Sequence, residues 1–255
     1  MPGDADERTI AERPRKPSRK RSLAAKKAAR TRAENIRLDA MWKHERELRR
    51  AGYRLIAGVD ESGVGPLAGP VVAAAVILPP DFKVPGLWEC KRLLADKRPH
   101  FCGLIMDRVT AVAVGVVEVE ELDRINIHQA ALKAMWLALS RLHTAPDCAL
   151  VDGFAIPGLE IFQRPMVDGD VYSISIAAAS VVAKVTRDRI MQRLDRLYPG
   201  YGFASHKGYG TREHQAALDR LGVCPIHRRS FAPVLRRAQP RASSDSADTL
   251  AQSGM

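Results

Sequence analysis

Between Arg54 and Leu78 the chain reads RLIAGVDESGVGPLAGPVVAAAVIL, and this stretch limits the possible folds more than any other. The apolar run Leu55 to Val59 has the pattern of a buried strand. It ends on two adjacent carboxylates, Asp60 and Glu61. Gly63, Gly65, Pro66, Gly69 and Pro70 punctuate a tight connection, and Val71 to Leu78 reads as a second strand. A carboxylate at the end of a buried strand is costly unless something positive pairs with it. Two in succession beside a glycine-rich backbone point to a site for a hard cation and a phosphate. Taken alone, the Asp-Glu pair is more simply a solvated hairpin turn, since Asp and Gly are ordinary turn residues.

The chain of 255 residues accommodates one domain of moderate size with tails, or two small domains. Aromatic residues make up only 5%, so the core is expected to be built of Val, Ala, Ile and Leu. No apolar stretch is long enough to span a bilayer, and the start lacks the apolar segment of a secretory signal. The four cysteines (Cys90, Cys102, Cys148, Cys224) show neither C-x-x-C pairing nor zinc spacing. They are expected as reduced, small apolar fillers in a cytoplasmic protein. The formal charge of +11 is unevenly placed: residues 1–52 hold 16 Lys and Arg against 8 Asp and Glu, and the rest holds 24 against 21. Such a basic arm fits attraction to a polyanion such as nucleic acid, and equally a solubilising tail.

Taken in order, Met1 to Ser22 is expected to be disordered. Leu23 to Ala51 has helical propensity, with Ile36, Leu38, Met41, Trp42 and Leu48 available to dock its later part. After the second strand a proline-rich loop runs to Trp88. Glu89 to Leu94, a helix over Pro99 to Arg108 and a third strand, Thr110 to Val119, follow. Within that strand Gly115 marks a bulge or a close backbone approach. Asn126 caps a helix from Ile127 to Leu142, whose Leu132, Met135, Trp136 and Leu139 fall at helical spacing and are expected to face the sheet. A short strand, Cys148 to Val151, delivers Asp152 at its end, repeating the arrangement at Val59-Asp60. A brief strand near Leu159 to Phe162 leads to Asp168-Gly169-Asp170. A long Ala-rich helix, Ser173 to Leu197, carries Lys184, Arg187, Asp188 and Arg189, and its charges read as a solvated face. Thr211 caps a helix to about Leu221, and residues after Ala238 are expected to be disordered. Strands first and helices interleaved later give an α/β domain around a mixed sheet, with ligands outside the carboxyl ends of its strands.

Asp60, Glu61, Asp152 and Asp170 would form a cluster of carboxylates that repel one another unless they hold metal ions. Oxygen-only ligands favour magnesium or manganese over zinc. Two such ions stabilise the attacking and leaving oxygens of a phosphodiester displacement.

The stretch VDESGVGPLAGPVVAAAVIL closely resembles the first signature of the prokaryotic type-2 ribonucleases H, with ribonuclease HII the nearest family. The same order continues with LVDG (Leu150 to Gly153), Gly169-Asp170, SIAAASVVAKVTRDR (Ser175 to Arg189), YPGYGFASHKGYGTREH (Tyr198 to His214) and PIHRRSF (Pro225 to Phe231). Several motifs agreeing in order are far more specific than any one of them. The resemblance implies an RNase H-like fold over residues 53–236, a mixed central sheet flanked by helices with a small C-terminal helical part. Residues 1–52 would be a basic arm and 237–255 a tail. It implies Mn2+ or Mg2+ held by Asp60, Glu61, Asp152 and Asp170, of which Asp170 is preferred over its rival Asp168 because it fills the family's Gly-Asp position. It implies hydrolysis of RNA in RNA–DNA hybrids and cleavage 5′ of a single ribonucleotide in duplex DNA, by a monomeric enzyme that needs no membrane. Tyr209 matches the tyrosine that stacks on the sugar at the RNA–DNA junction, and the Gly63–Gly65 amides would read the 2′-hydroxyl. Lys91, Lys184, His206 and Lys207 are expected to contact phosphates.

Two departures bear on substrate recognition. The family's Gly-Arg-Gly turn is here Gly63-Val64-Gly65, and its Asp-Ser-Lys is Glu89-Cys90-Lys91. An arginine contact is lost, and a cysteine is a weaker hydrogen-bond partner than a serine. Junction preference is therefore expected to weaken while hydrolysis is retained. The competing reading is a non-catalytic hybrid or DNA binder on the same fold, which the four retained carboxylates disfavour. A P-loop nucleotide binder is weaker still, since no Gly-Lys-Ser/Thr follows the glycines. No clear clamp-binding motif marks the tail, so a replication-clamp partner has no support there.

Overall fold

The computed structural model describes residues 19–88 and 90–238; the expectations for residues 1–18, for Glu89 and for 239–255 lie outside them. A five-stranded mixed sheet forms the centre, in the order β3 (Ala111–Val117), β2 (Val71–Ile77), β1 (Ile56–Ser62), β4 (Cys148–Asp152), β5 (Phe162–Met166). β2 runs antiparallel to β1 and β3, whereas β4 is parallel to β1 and β5 to β4. β1 does not end at Val59. It carries Asp60 and Glu61 inside the ladder, where they pair with Ala74 and Ala73.

Alternation along β2 divides the core in two. Ala74 and Val76 face a layer built on α7 (Ile174–Leu197), and Ala73, Ala75 and Ile77 face one built on α5 (Ile127–Ser140). The small residues let both helices approach closely. A Cβ on Gly58 would lie 2.1 Å from the backbone of Ser175 in α7, and one on Gly115 would lie 2.0 Å from the Ala134 carbonyl oxygen in α5. Gly115 is therefore a close approach and not a bulge, since β3 pairs with β2 in unbroken register. Asn126 accepts a hydrogen bond from the Gln129 amide at the start of α5, and Ser173 from Ile176 at the start of α7.

On the α7 side lie α1 (Arg19–Met41), which begins inside the stretch expected to be disordered, α2 (Lys43–Arg50) and α3 (Arg98–Met106). Leu38, Met41, Trp42 and Leu48 are buried, as expected of docking positions, while Ile36 is 63% exposed. Glu45 of α2 is buried and accepts from Ser173 Oγ (2.6 Å), Ser175 Oγ (2.6 Å) and the Ser175 amide (3.1 Å), so the arm's second half fixes the start of α7. A short helix not expected from the sequence, α4 (Val119–Ile125), precedes α5. One turn, α6 (Gly169–Tyr172), leads into α7. Beyond α7, the elements α8 (Phe203–His206), α9 (Arg212–Leu221) and α10 (Ala232–Ala238) gather around Tyr201, Phe203, Leu218 and Val234.

Two expectations are corrected here. Trp136 is 43% exposed, because alanines 130, 134 and 138 occupy the stripe of α5 that meets the sheet. The last strand runs from Phe162 to Met166 and not from Leu159 to Phe162. It is an edge strand, half-buried and containing Pro165, so it lacks the apolar signal of a central strand. Among the described residues no helix is long and apolar enough to cross a membrane.

Candidate active site

The parallel register sets Val59 beside Val151, so the next residues, Asp60 and Asp152, emerge side by side at the carboxyl ends of β1 and β4. Asp60 is on the α7 face and buried; its Oδ1 accepts from the Glu61 amide at 2.6 Å. Asp152 Oδ1 accepts from the Gly169 amide at 2.7 Å. This ties the turn before α6 to β4 and delivers Asp170, also buried, to the same cleft. One carboxylate oxygen from each of Asp60, Glu61 and Asp152 lies within 4.8 Å of the other two. Asp170 lines the cleft without joining that tightest group, and Asp168, exposed in a left-handed conformation, lies outside the cleft lining.

The cleft measures about 560 Å³, and Gly63, Val64, Gly65, Lys91, Lys184 and Tyr209 also line it. Lys184 Nζ is 2.6 Å from Asp188 Oδ1, so Asp188 pairs with this lysine and not with an arginine. The same Nζ is 5.8 Å from the ring centroid of Tyr209, a residue that is 44% exposed. Cys90 is in the wall with its thiol pushed up to about 11 by burial, and it stays protonated.

His206 and Lys207 do not join this group. His206 is buried, with its ring nitrogens on the Tyr201 carbonyl (2.8 Å) and the Gly208 amide (3.1 Å), and it stacks on His214 at 4.5 Å. It is a core residue with no edge left for a phosphate. Lys207 bonds the Ala204 carbonyl and lines a neighbouring hollow beside Arg98 and Arg189. Arg187, read from the sequence as part of a solvated face, is fully buried, as is Arg228.

Burial, then Glu61, Asp152 and Asp170 in turn, hold the Asp60 carboxyl well above the usual range. Burial and Asp152 raise Glu61 to about 7. Burial and Asp170 raise Asp152; burial raises Asp170 against the pull of Lys91. Desolvated, mutually repelling, all-oxygen and balanced chiefly by Lys91, the donor set fits hard divalent cations. It also has a thermodynamic signature. Glu61 folds with a pKa raised from 4.5 to about 7, so its contribution to stability is full below the lower value and is lost as pH rises through the higher one. Ion binding needs the charged form and offsets that loss. The melting temperature with Mn2+ minus that with chelator should be near zero at about pH 5 and widen to several degrees above about pH 7. Taking the difference cancels the contribution of buried His214 and His227, whose depressed pKa values are common to both conditions. A gap that does not change with pH would mean that the ion binds elsewhere.

The Ribonuclease HII family model matches residues 57–234. The Ribonuclease HII of Geobacter metallireducens is 51% identical over 201 residues, which cover 79% of this chain and 94% of that protein. Among solved structures, ribonuclease H2 from Pyrococcus horikoshii OT3 aligns with a TM-score of 0.62 at 23% identity, covering 72% of this chain and 97% of the other. Bst-RNase HIII in complex with Mn2+ aligns at 0.55 and 18%, covering 76% and 73%. These two show a common fold.

Proposed function

The chain belongs to the ribonuclease HII family, and from that membership we propose that it is a metal-dependent endoribonuclease acting on the RNA strand of RNA–DNA hybrids. It also cuts on the 5′ side of a single ribonucleotide in duplex DNA, leaving 3′-hydroxyl and 5′-phosphate ends. The observation that carries the reading is the trio of carboxylate oxygens from Asp60, Glu61 and Asp152 within 4.8 Å of one another at the ends of two parallel strands. Self-repelling charge facing a polyanion is of use only if a cation lies between them. Asp60, Glu61, Asp152 and Asp170 would hold Mn2+ or Mg2+, and two such ions supply charge stabilisation for the attacking and leaving oxygens of an in-line displacement.

The other cleft residues bind and orient. Tyr209, exposed at the mouth, offers a face for the sugar of the nucleotide next to the ribose. The backbone of Gly63, Val64 and Gly65 offers amides to the 2′-hydroxyl, the group that separates RNA from DNA. Lys91 and Lys184 face the phosphates; the ion pair with Asp188 holds Lys184 in place. Val64 adds no charge where the family usually has arginine. Four free, buried cysteines suit a reducing, cytoplasmic setting.

The test is cleavage of a labelled DNA duplex with one ribonucleotide, beside a full RNA–DNA hybrid, in Mg2+, Mn2+ or chelator. Both are expected to be cut with either metal and neither with chelator, the single-ribonucleotide duplex with the lower kcat/KM. Cutting of the hybrid alone would mean that Val64 and Cys90 have cost the junction reading. No cutting at all would leave a hybrid-binding protein in place of an enzyme.

A further inference from the structure

Arg187 and Arg228 are both fully buried, and among the described residues neither makes an ion pair with a carboxylate. Two like charges in one dry place are expensive. Burial, and for Arg228 the charge of Arg187 as well, depress them to about 10 and about 9. All but one of their partners are main-chain carbonyls of the Gly63–Pro70 loop. Arg228 donates to Gly63 (2.6 Å), Val64 (3.0 Å) and Gly69 (2.8 and 2.9 Å). Arg187 donates to Ala68 (3.0 Å), Pro70 (3.0 Å) and Lys207 (3.1 Å). Among the described residues no acceptor meets the amide of Val64 or Gly65.

We infer that Arg187 and Arg228 are positioning residues for ribose recognition, holding the Gly63–Pro70 turn by its carbonyls so that the amides of Val64 and Gly65 stay free at the cleft. The inference deepens the proposed function and rests on its reading of the turn as the element that meets the 2′-hydroxyl.

The geometry is specific to a planar fork. Arg228 engages the turn through three nitrogens at once, Nη1 on Val64, Nη2 on Gly63 and Gly69, and Nε on Gly69, which the rigid, spread array of donors on a guanidinium can do and the single centre of an ammonium cannot. Gly63 must be glycine at φ +101°, for a Cβ there would fall 2.2 Å from Arg187 Nε. Arg187 also reaches the loop that carries Tyr209 through the Lys207 carbonyl. The Leu67 amide bonds the Gly208 carbonyl at 2.8 Å. A Cβ on Gly65 would meet the Tyr209 ring at 3.8 Å. The two guanidiniums therefore set the turn and the tyrosine against each other as a single reading surface. This arrangement also explains how the chain keeps a rigid turn although Val64 has replaced a charged side chain: the order is imposed from below, by the backbone's own acceptors.

The experiment compares binding to a duplex with one ribonucleotide and to the all-DNA duplex of the same sequence, in Ca2+ to hold the carboxylates without turnover. The ratio of the two dissociation constants does not depend on how much of a sample is folded. Wild-type protein is expected to prefer the ribonucleotide duplex. Arg228→Lys keeps a charge but loses the fork, and its ratio should fall about tenfold toward unity, with DNA affinity little changed. Arg187→Lys is the second variant, with the same direction expected. A wild-type ratio in either variant, with Mn2+ binding intact, overturns the inference; so does failure of both variants to fold, which would leave the pair a purely structural role. Absence of preference and of cleavage in the wild type would overturn the substrate reading instead.

Discussion

Asp60→Asn is expected to abolish cleavage of both substrates while making the metal-free protein more stable. The activity loss should be on the order of a thousandfold or more, about 4 kcal/mol of transition-state stabilisation. A neutral amide removes one of three convergent carboxylate oxygens and with it the charge that would hold a divalent ion between the chain and the phosphate. Duplex binding in Ca2+ should persist, because the substitution also removes a negative charge facing the backbone of the nucleic acid. The stability effect has the opposite sign. Asp60 folds with a pKa raised well above 3.8 by burial and by Glu61, Asp152 and Asp170. Its contribution to stability is therefore full below the unfolded value and lost as pH rises through the folded one. Well above the unfolded value and without metal, the raised pKa is itself a burden on the fold that asparagine lifts, so melting in chelator should occur at a higher temperature than in wild type. A variant that still cleaves would remove Asp60 from the chemistry. One that neither cleaves nor gains stability would mean that the site has collapsed.

The sheet and its acidic edge are legible in the sequence because their signals are local. Val71 to Ile77 is a continuous apolar run, glycines and prolines bound it, and Val59-Asp60 and Val151-Asp152 repeat the same strand-then-carboxylate pattern. That pattern alone does not supply the register that sets β4 against β1. The resemblance added an order of motifs, and with it a reason to choose Asp170 over Asp168. The sequence is least legible along α7. The first ten residues of that helix, Ile174 to Ala183, are all buried, so that half offers no polar stripe by which to place the inward charge that follows. Arg187, in the run VTRDR, looks like its neighbours although two of its three acceptors, Ala68 and Pro70, lie more than a hundred residues away. His206 misleads in the same way, since a histidine beside lysine and glycine looks exposed until its stacking on His214 is seen. Trp136 shows the converse, for at helical spacing a tryptophan and an alanine both qualify for the sheet face, and close packing against Gly115 selects the alanine.

Gly58→Ala should be among the most damaging single-methyl changes in the body of the protein, costing about 3 kcal/mol or more. By propensity the sign would be the reverse, since glycine inside a strand is the weaker choice and alanine restricts the unfolded chain. Packing overrides it. The new Cβ would lie 2.1 Å from the carbonyl carbon of Ser175 and 2.4 Å from the amide nitrogen of Ile176. Both are backbone atoms, so no side chain can swing aside, and α7 as a whole must move off β1. The first turn of that helix is held by Glu45 through Ser173 and Ser175, and the movement would strain this buried cluster as well. Ser180 and Lys184, further along the same helix, line the cleft with Asp60, so cleavage should fall together with stability. Denaturant melts should shift to a lower midpoint with little change in slope, and the melting temperature should drop by roughly 6–12 °C. An alanine variant that melts within about a degree of wild type would mean that β1 and α7 lie further apart than this packing requires. The route by which the chain brings α7 to its carboxylates would then have to be sought elsewhere.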